Sequence, residues 1–190
     1  GVAVVAIGGN ALVLDDSHRT VSDQFLAAKR AMKNVADIVE AGWTVVLTHG
    51  NGPQVGYILR RSELALDELH PVPMDYAGAD TQGAIGYMFQ KALRNEFVRR
   101  EMPHNVITIV TQVRVSADDS AFVTPTKPIG SYMSQDHARK MADEYGWSIS
   151  EESGFGWRRV VPSPYPEDII EFEPIKGNVT TENVVIACGG

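Results

Sequence analysis

The 190-residue chain is long enough to bury a full core without staples, and 44% hydrophobic with 22% charged residues is a globular balance. A net charge of −7 and a pI of about 5.2 argue against nucleic acid as the main partner, since phosphate backbones need a basic face, but small anions can still be held by local backbone dipoles. The single cysteine, Cys188, excludes an internal disulfide and fits a reducing, cytoplasmic compartment; no apolar run approaches membrane-span length, and no basic leader precedes the first strand.

Val2 to Ile7 is a continuous apolar run bounded by glycine, which predicts a strand buried on both faces of a parallel sheet. Ser22 is a candidate cap for the helix that follows. There Phe25, Ala28, Met32, Val35, Ala36 and Val39 recur at helical spacing, and Gly42 marks the end. Thr44 to Thr48 reads as a second strand, running into His49-Gly50-Asn51-Gly52-Pro53-Gln54 and a helix to about Leu66. His70 to Pro73 breaks the chain. Ile85, Met88, Phe89, Ala92 and Leu93 mark another amphipathic helix ending near Pro103, and Val106 to Val110 a third strand. This order predicts an α/β fold, a three-layer αβα sandwich on a mainly parallel sheet.

From Val113 to Arg159 the texture changes to short β-like pieces, a polar helix around Gln135 to Tyr145, and a Gly/Trp/Arg segment. Residues 113–159 therefore read as a protruding subdomain, set into a main domain of 1–112 and 160–190. Val184 to Ala187 is a fourth core strand. The chain opens on Gly1 and stops at Gly189-Gly190, a glycine turn after a core strand, which reads as an interrupted chain; a short native chain ending on a strand is the other reading.

Three glycine turns follow core strands: Gly8-Gly9-Asn10, Gly50-Asn51-Gly52 and Gly189-Gly190. Ligands of open α/β sheets bind at the carboxyl ends of strands, where glycine lets backbone N–H groups approach an anion and a following helix adds its positive end. Any one of them is equally a tight strand-to-helix turn; three together favour a donor-rich cradle. Gly50 to Gly56 has one residue too many for the dinucleotide fingerprint, and no P-loop occurs. By spacing alone Lys127, between Thr126 and Pro128, reads first as a solvated surface lysine, though its stiff setting also suits a counter-charge for phosphate. Arg158 and Arg159 read as surface charge beside a packing Trp157, and His49 as a neutral structural histidine. Cys188 reads as a small buried residue, and no zinc-like spacing or G-x-S-x-G elbow is present.

Six segments, in order and spanning the chain, resemble the carbamate kinases of the amino acid kinase superfamily. They are Val4 to Ala11, His49 to Gly56, Thr81 to Tyr87, Thr126 to Gly130, Gly156 to Pro164 and Ala187 to Gly190. The resemblance implies reversible phosphoryl transfer between carbamoyl phosphate plus ADP and carbamate plus ATP. It places Gly8, Gly9, Asn10, Gly50, Asn51, Gly52, Gly189 and Gly190 around carbamoyl phosphate, and swings Lys127 over the phosphoryl group. Acetylglutamate kinases carry a lysine two residues before the first Gly-Gly; here Ala6 stands there, as in carbamate kinases. The resemblance also implies ATP or ADP with magnesium, bound by a C-terminal domain beyond Gly190, with no metal ligands in this chain. It further implies a cytoplasmic homodimer working towards ATP in arginine, purine or allantoin breakdown. A non-catalytic carbamoyl-phosphate-binding module, or an inactive kinase fragment, is the alternative expectation.

Overall fold

A computed structural model describes residues 1–13, 17–18 and 20–190. Two compact units emerge, one formed by Gly1–Gln54, Pro73–Gln112 and Ile169–Gly190, the other by Val55–Val72 and Val113–Asp168.

In the first unit, β1 (Val2–Ile7), β2 (Thr44–His49), β3 (Asn105–Thr108) and β9 (Asn183–Ile186) form a sheet in the order β1-β2-β9-β3. Every pairing is parallel, with Ile7 opposite His49, Leu47 opposite Ile186 and Thr108 opposite Ile186. The mixed α/β class and the mainly parallel sheet are as the sequence predicts. β1 differs in one respect: it is an edge strand whose side chains alternate, with Val2 60% and Val4 69% exposed and only Ala3, Val5 and Ile7 half-buried. An all-apolar sequence cannot distinguish one covered face from two, because periodicity is lost when both positions of the pleat are hydrophobic.

Helix α1 (Val21–Glu40) is capped by Thr20, two residues earlier than a Ser22 cap would place it. Thr20 Oγ1 accepts from the Asp23 N–H at 3.2 Å and Asp23 returns a bond to the Thr20 N–H at 3.0 Å, a capping box that satisfies two donors at once and outcompetes a lone serine. The predicted stripe is the buried one: Ala28, Met32, Val35, Ala36 and Val39 all face inward. α3 (Met74–Arg99) packs beside α1 on the same sheet face, and Phe89 and Phe97 are fully buried between the two helices and Val45, Leu47, Val184 and Ile186. Truncating either ring to alanine would cost about 3–5 kcal/mol in lost burial and cavity. Gly86 lets α3 lie close on β3, since a Cβ there would stand 2.3 Å from Thr108 Cγ2.

Past the end of α3, Arg100 fastens the two helices. Its guanidinium donates to Asp37 at 2.6 Å, Glu40 at 2.7 Å, Glu96 at 2.8 Å and the Lys33 carbonyl at 3.1 Å. On the opposite sheet face, α5 (Phe172–Asn178) covers Val185 and Ala187 through Ile175, which supplies the third layer.

Between those segments, α2 (Gly52–Leu64) starts in the first unit and continues in the second. The second unit also holds β4 (Val113–Val115), β5 (Lys127–Met133), α4 (Gln135–Tyr145), β6 (Ser148–Glu152), β7 (Gly156–Val161) and all but the last residue of β8 (Pro166–Ile169). β5, β7 and β6 form an antiparallel sheet with β7 in the middle, and β4 pairs with β8. Ser134 caps α4 by accepting from the His137 N–H at 3.3 Å, and Gly146 ends the helix in the left-handed conformation at φ 65°. The helix is mostly polar, and Ala138 and Met141 are the residues it buries.

Candidate functional site

The sheet order puts the carboxyl ends of β1, β2 and β9 side by side, so the three glycine turns become neighbours in space. Their contact is intimate. A Cβ on Gly9 would stand 3.0 Å from the Asn51 nitrogen and 3.1 Å from the Gly50 carbonyl carbon, and one on Gly50 would stand 3.0 Å from the Gly9 nitrogen. The Gly50 N–H bonds the Ile7 carbonyl at 2.9 Å, and the Gly190 N–H bonds the His49 carbonyl at 2.9 Å. Gly190 has φ 115°, and a Cβ there would approach Asn51 Nδ2 at 3.3 Å. Thus Gly9, Gly50, Asn51, Gly189 and Gly190 converge, while Gly8 and Gly52 border open space and Asn10 is exposed at the start of a short 3-10 turn, Gly9–Leu12.

Among the described residues, the N–H groups of Gly8, Asn51 and Gly189 reach no protein acceptor. α2 begins at Gly52 in the same place and has no acidic residue in its first turn, whereas α1, α3 and α4 carry Asp23, Asp75 and Asp136 there. The positive end of α2 is therefore not offset by a carboxylate of its own.

His49 lies under the third turn. It is 4% exposed, meets Phe89 edge-on at 5.8 Å, and its Nδ1–H donates to the Gly50 carbonyl at 3.2 Å. Burial pushes its pKa below the ordinary histidine value, against a smaller upward pull from that hydrogen bond, which supports the neutral, structural role expected of it.

Several bracing residues carried no role in the sequence reading. The Thr81 hydroxyl accepts from Asn51 Nδ2 at 2.8 Å and donates to the Gly78 carbonyl at 2.7 Å. Gln82 holds the Thr111 backbone at both ends, donating to its carbonyl at 3.0 Å and accepting from its N–H at 2.8 Å. Thr111 Oγ1 in turn accepts from the Cys188 N–H at 2.8 Å. Gln54 Nε2 donates to the Gly9 carbonyl at 3.3 Å and to Gln24 Oε1 at 3.1 Å. A polar residue on the apolar stripe of a helix was the available signal: Thr81 sits between Ala77 and Ile85 at helical spacing, and all three are buried. Cys188 is half-buried rather than fully enclosed, and its φ of 53° is a left-handed strain that delivers the chain into Gly189.

Lys127 belongs to the second unit. It is exposed at the first position of β5, opposite Val161 of β7, and reaches no hydrogen bond or ion pair among the described residues. No group of three or more His, Cys, Asp or Glu side chains suited to a metal ion occurs among the described residues, and none of their helices is long and apolar enough to cross a membrane.

No sequence-family profile matches the chain. Individual relatives do. It is 46% identical over 190 residues to a carbamate kinase of Pyrococcus horikoshii and 44% identical over 190 residues to one of Clostridium perfringens, in each case across 98% of this chain and 60% of the relative. Among solved structures, carbamate kinase from Giardia lamblia bound to AMP-PNP superposes with a TM-score of 0.88 at 39% identity, covering 98% of this chain and 60% of that one. The chain thus spans about 60% of the length of the curated relatives it matches. The likeness to carbamate kinases, in sequence and in fold, runs along 98% of this chain.

Proposed function

We propose that the protein interconverts carbamoyl phosphate plus ADP with carbamate plus ATP, and that this chain supplies the carbamoyl phosphate site. The observation that carries the reading is the junction of three glycine turns at adjacent strand ends, with N–H groups at Gly8, Asn51 and Gly189 that have no acceptor among the described residues, beside the uncompensated start of α2. Such a site presents fixed dipoles and little side-chain bulk, which suits an anion as small as carbamoyl phosphate. Gly8, Gly9, Asn10, Gly50, Asn51, Gly52, Gly189 and Gly190 line it.

Phosphoryl transfer demands positioning and charge neutralisation more than covalent chemistry. As the bond from the carbamoyl oxygen to phosphorus breaks and the bond from phosphorus to the ADP oxygen forms, charge on the phosphoryl oxygens needs a cation. Lys127 serves that role from the 113–159 subdomain; its ammonium has no protein partner among the described residues to compete for it. Among the described residues no group of three or more His, Cys, Asp or Glu side chains suited to a metal ion accompanies the cradle. The ATP or ADP with its magnesium would be held by the further two fifths that family members carry. The reaction runs towards ATP in arginine, purine or allantoin breakdown, in a cytoplasmic homodimer.

ATP formation from carbamoyl phosphate, ADP and magnesium tests the reading on the full natural protein. Lys127→Ala is expected to lower the rate about a hundredfold or more. An unchanged rate removes Lys127 from the mechanism, and carbamoyl phosphate binding without ATP formation by the unaltered protein would mean a binding module instead.

A further inference from the structure

Within the second unit, a cavity of about 460 Å³ opens between α2, β5, the start of α4 and β7. Its most unusual group is Arg159. This residue sits on the middle strand, between Ile129 of β5 and Ile149 of β6, and is half-buried. Its neighbour Arg158, on the opposite face by strand alternation, has an acidic partner: its Nη1 meets Glu152 at 3.3 Å and its guanidinium lies over Tyr132 at 5.1 Å, while its Nε is buried without an acceptor. Arg159 is different. Its guanidinium stacks on Trp147 at 4.6 Å, and among the described residues no hydrogen bond or ion pair reaches it.

A partly desolvated guanidinium with five unused donors is costly to hold unless something satisfies it. Among the described residues the cavity wall offers no carboxylate that does so. Glu63 lines the cavity but is bound to Arg60 at 3.2 Å, and acts on Arg159 only at a distance. With Arg60 and Glu63 offsetting each other, the lining retains one uncompensated positive charge. The remaining walls include Leu59, Ile129 and the Trp147 ring, which favour an apolar or flat body over a bare ion.

We propose that this cavity binds a small organic monoanion carrying a carboxylate, with Arg159 gripping the carboxylate through its planar fork and Trp147 covering the body of the ligand. Arginine matches a carboxylate with two parallel donors, and stacking on Trp147 already fixes the plane of that fork, so little ordering remains for binding. The site is separate from the reading of the glycine cradle and does not depend on it.

The test uses the full natural protein labelled with 5-fluorotryptophan, with the Trp147 fluorine resonance assigned by its loss in Trp147→Phe. Benzoate is the probe and inorganic phosphate the comparison. Saturable movement of the Trp147 resonance by benzoate, with the Trp43 resonance unmoved, is the expected result. Arg159→Gln should weaken that binding about tenfold or more, as expected for loss of a charge-assisted pair, and Arg159→Lys should weaken it less. Glu63→Gln removes the one acid in the wall and should tighten benzoate about threefold. Because Arg159→Gln could unfold the subdomain, its melting is checked by circular dichroism, and Glu63→Gln decides the matter if it does. A Trp147 resonance that benzoate leaves in place overturns the proposal. So does benzoate affinity unchanged in folded Arg159→Gln, or a Glu63→Gln variant that binds no tighter. Phosphate binding as tightly as benzoate overturns the carboxylate assignment.

Discussion

Substituting Gly189 by alanine puts the packing of the third turn to a direct test. The new Cβ would stand 2.3 Å from His49 Nε2, 2.5 Å from Cε1 and 3.1 Å from Cδ2, so three ring atoms obstruct it and not one mobile tip. The ring cannot easily swing away, because it is 4% exposed, meets Phe89 edge-on at 5.8 Å, and is tied to the Gly50 carbonyl at 3.2 Å. Overpacking of this kind costs about 1–3 kcal/mol. In a chain of this length each kcal/mol lowers the melting temperature by about 2–4 °C, so Gly189→Ala should melt roughly 2–12 °C lower. Thermal unfolding by circular dichroism measures it, in a cycle with His49→Ala. Without the ring the Cβ has room, and the cost of Gly189→Ala in the His49→Ala background should fall below about 0.5 kcal/mol, a coupling that only residues in contact show. If Gly189→Ala costs the same in both backgrounds, the ring is not what excludes a side chain there.

Thr81→Val keeps the shape of a buried residue but strips Asn51 Nδ2 of its acceptor, and should cost about 1–3 kcal/mol in urea unfolding while weakening carbamoyl phosphate binding by calorimetry. Gly86→Ala gains about 1 kcal/mol of helix propensity, yet its Cβ meets Thr108 Cγ2 at 2.3 Å, so the variant should be less stable than the parent in the same assay. Hydrogen bonding to Arg99, with Arg100 adding to it against an opposing effect of burial, lowers the Glu96 pKa from 4.5 to about 2. A depressed carboxylate pKa contributes stability that is present above the unfolded value and lost as pH falls through the folded one. The melting temperature should therefore drop between about pH 4.5 and pH 2, and Glu96→Gln should flatten that part of the profile; an unchanged slope rules Glu96 out as its source.

The elements that the sequence made legible are those whose pattern has one structural meaning. The α1 stripe from Ala28 to Val39 fits only a helix with one buried face, and that face is buried. α4 was readable as a polar helix because Ala138 and Met141 are its sole buried residues. β1 was misread as doubly covered because Val2, Val4 and Ala6 are as apolar in sequence as their inward neighbours, and edge position is a property of the whole sheet. Ser22 lost to Thr20 because a cap is chosen by the reciprocal partner three residues on, here Asp23. At the site, the turns were visible one by one as glycine clusters, but their adjacency follows from β9 inserting beside β2, a pairing across more than a hundred residues that no local pattern encodes. The side-chain braces were hidden for a related reason: Thr81 and Gln82 act on Asn51 and Thr111, each about 30 residues away in the chain.

The physical economy of the cradle explains why glycine recurs in it. A receptor for an anion of very few atoms must bring several donors to one point, and any side chain on those donors would occupy the volume that the ligand needs. Gly9 and Gly50 show the limit of this requirement, since each excludes a Cβ on the other's account even before a ligand is considered. The rigidity that glycine gives up is restored from outside: Thr81 fixes Asn51, Gln54 fixes the Gly9 carbonyl, and Thr111 fixes the backbone at Cys188. Charge is handled by the same division of labour. The turns supply only dipoles, the histidine beneath them is held neutral by burial, and the full positive charge assigned to the reaction sits on Lys127 in another unit of the chain. On the proposed reading, ground-state binding by dipoles with a separately mounted cation would reserve the strongest electrostatic contact for the phosphoryl group in flight, and binding that strengthens only there raises turnover rather than merely holding substrate.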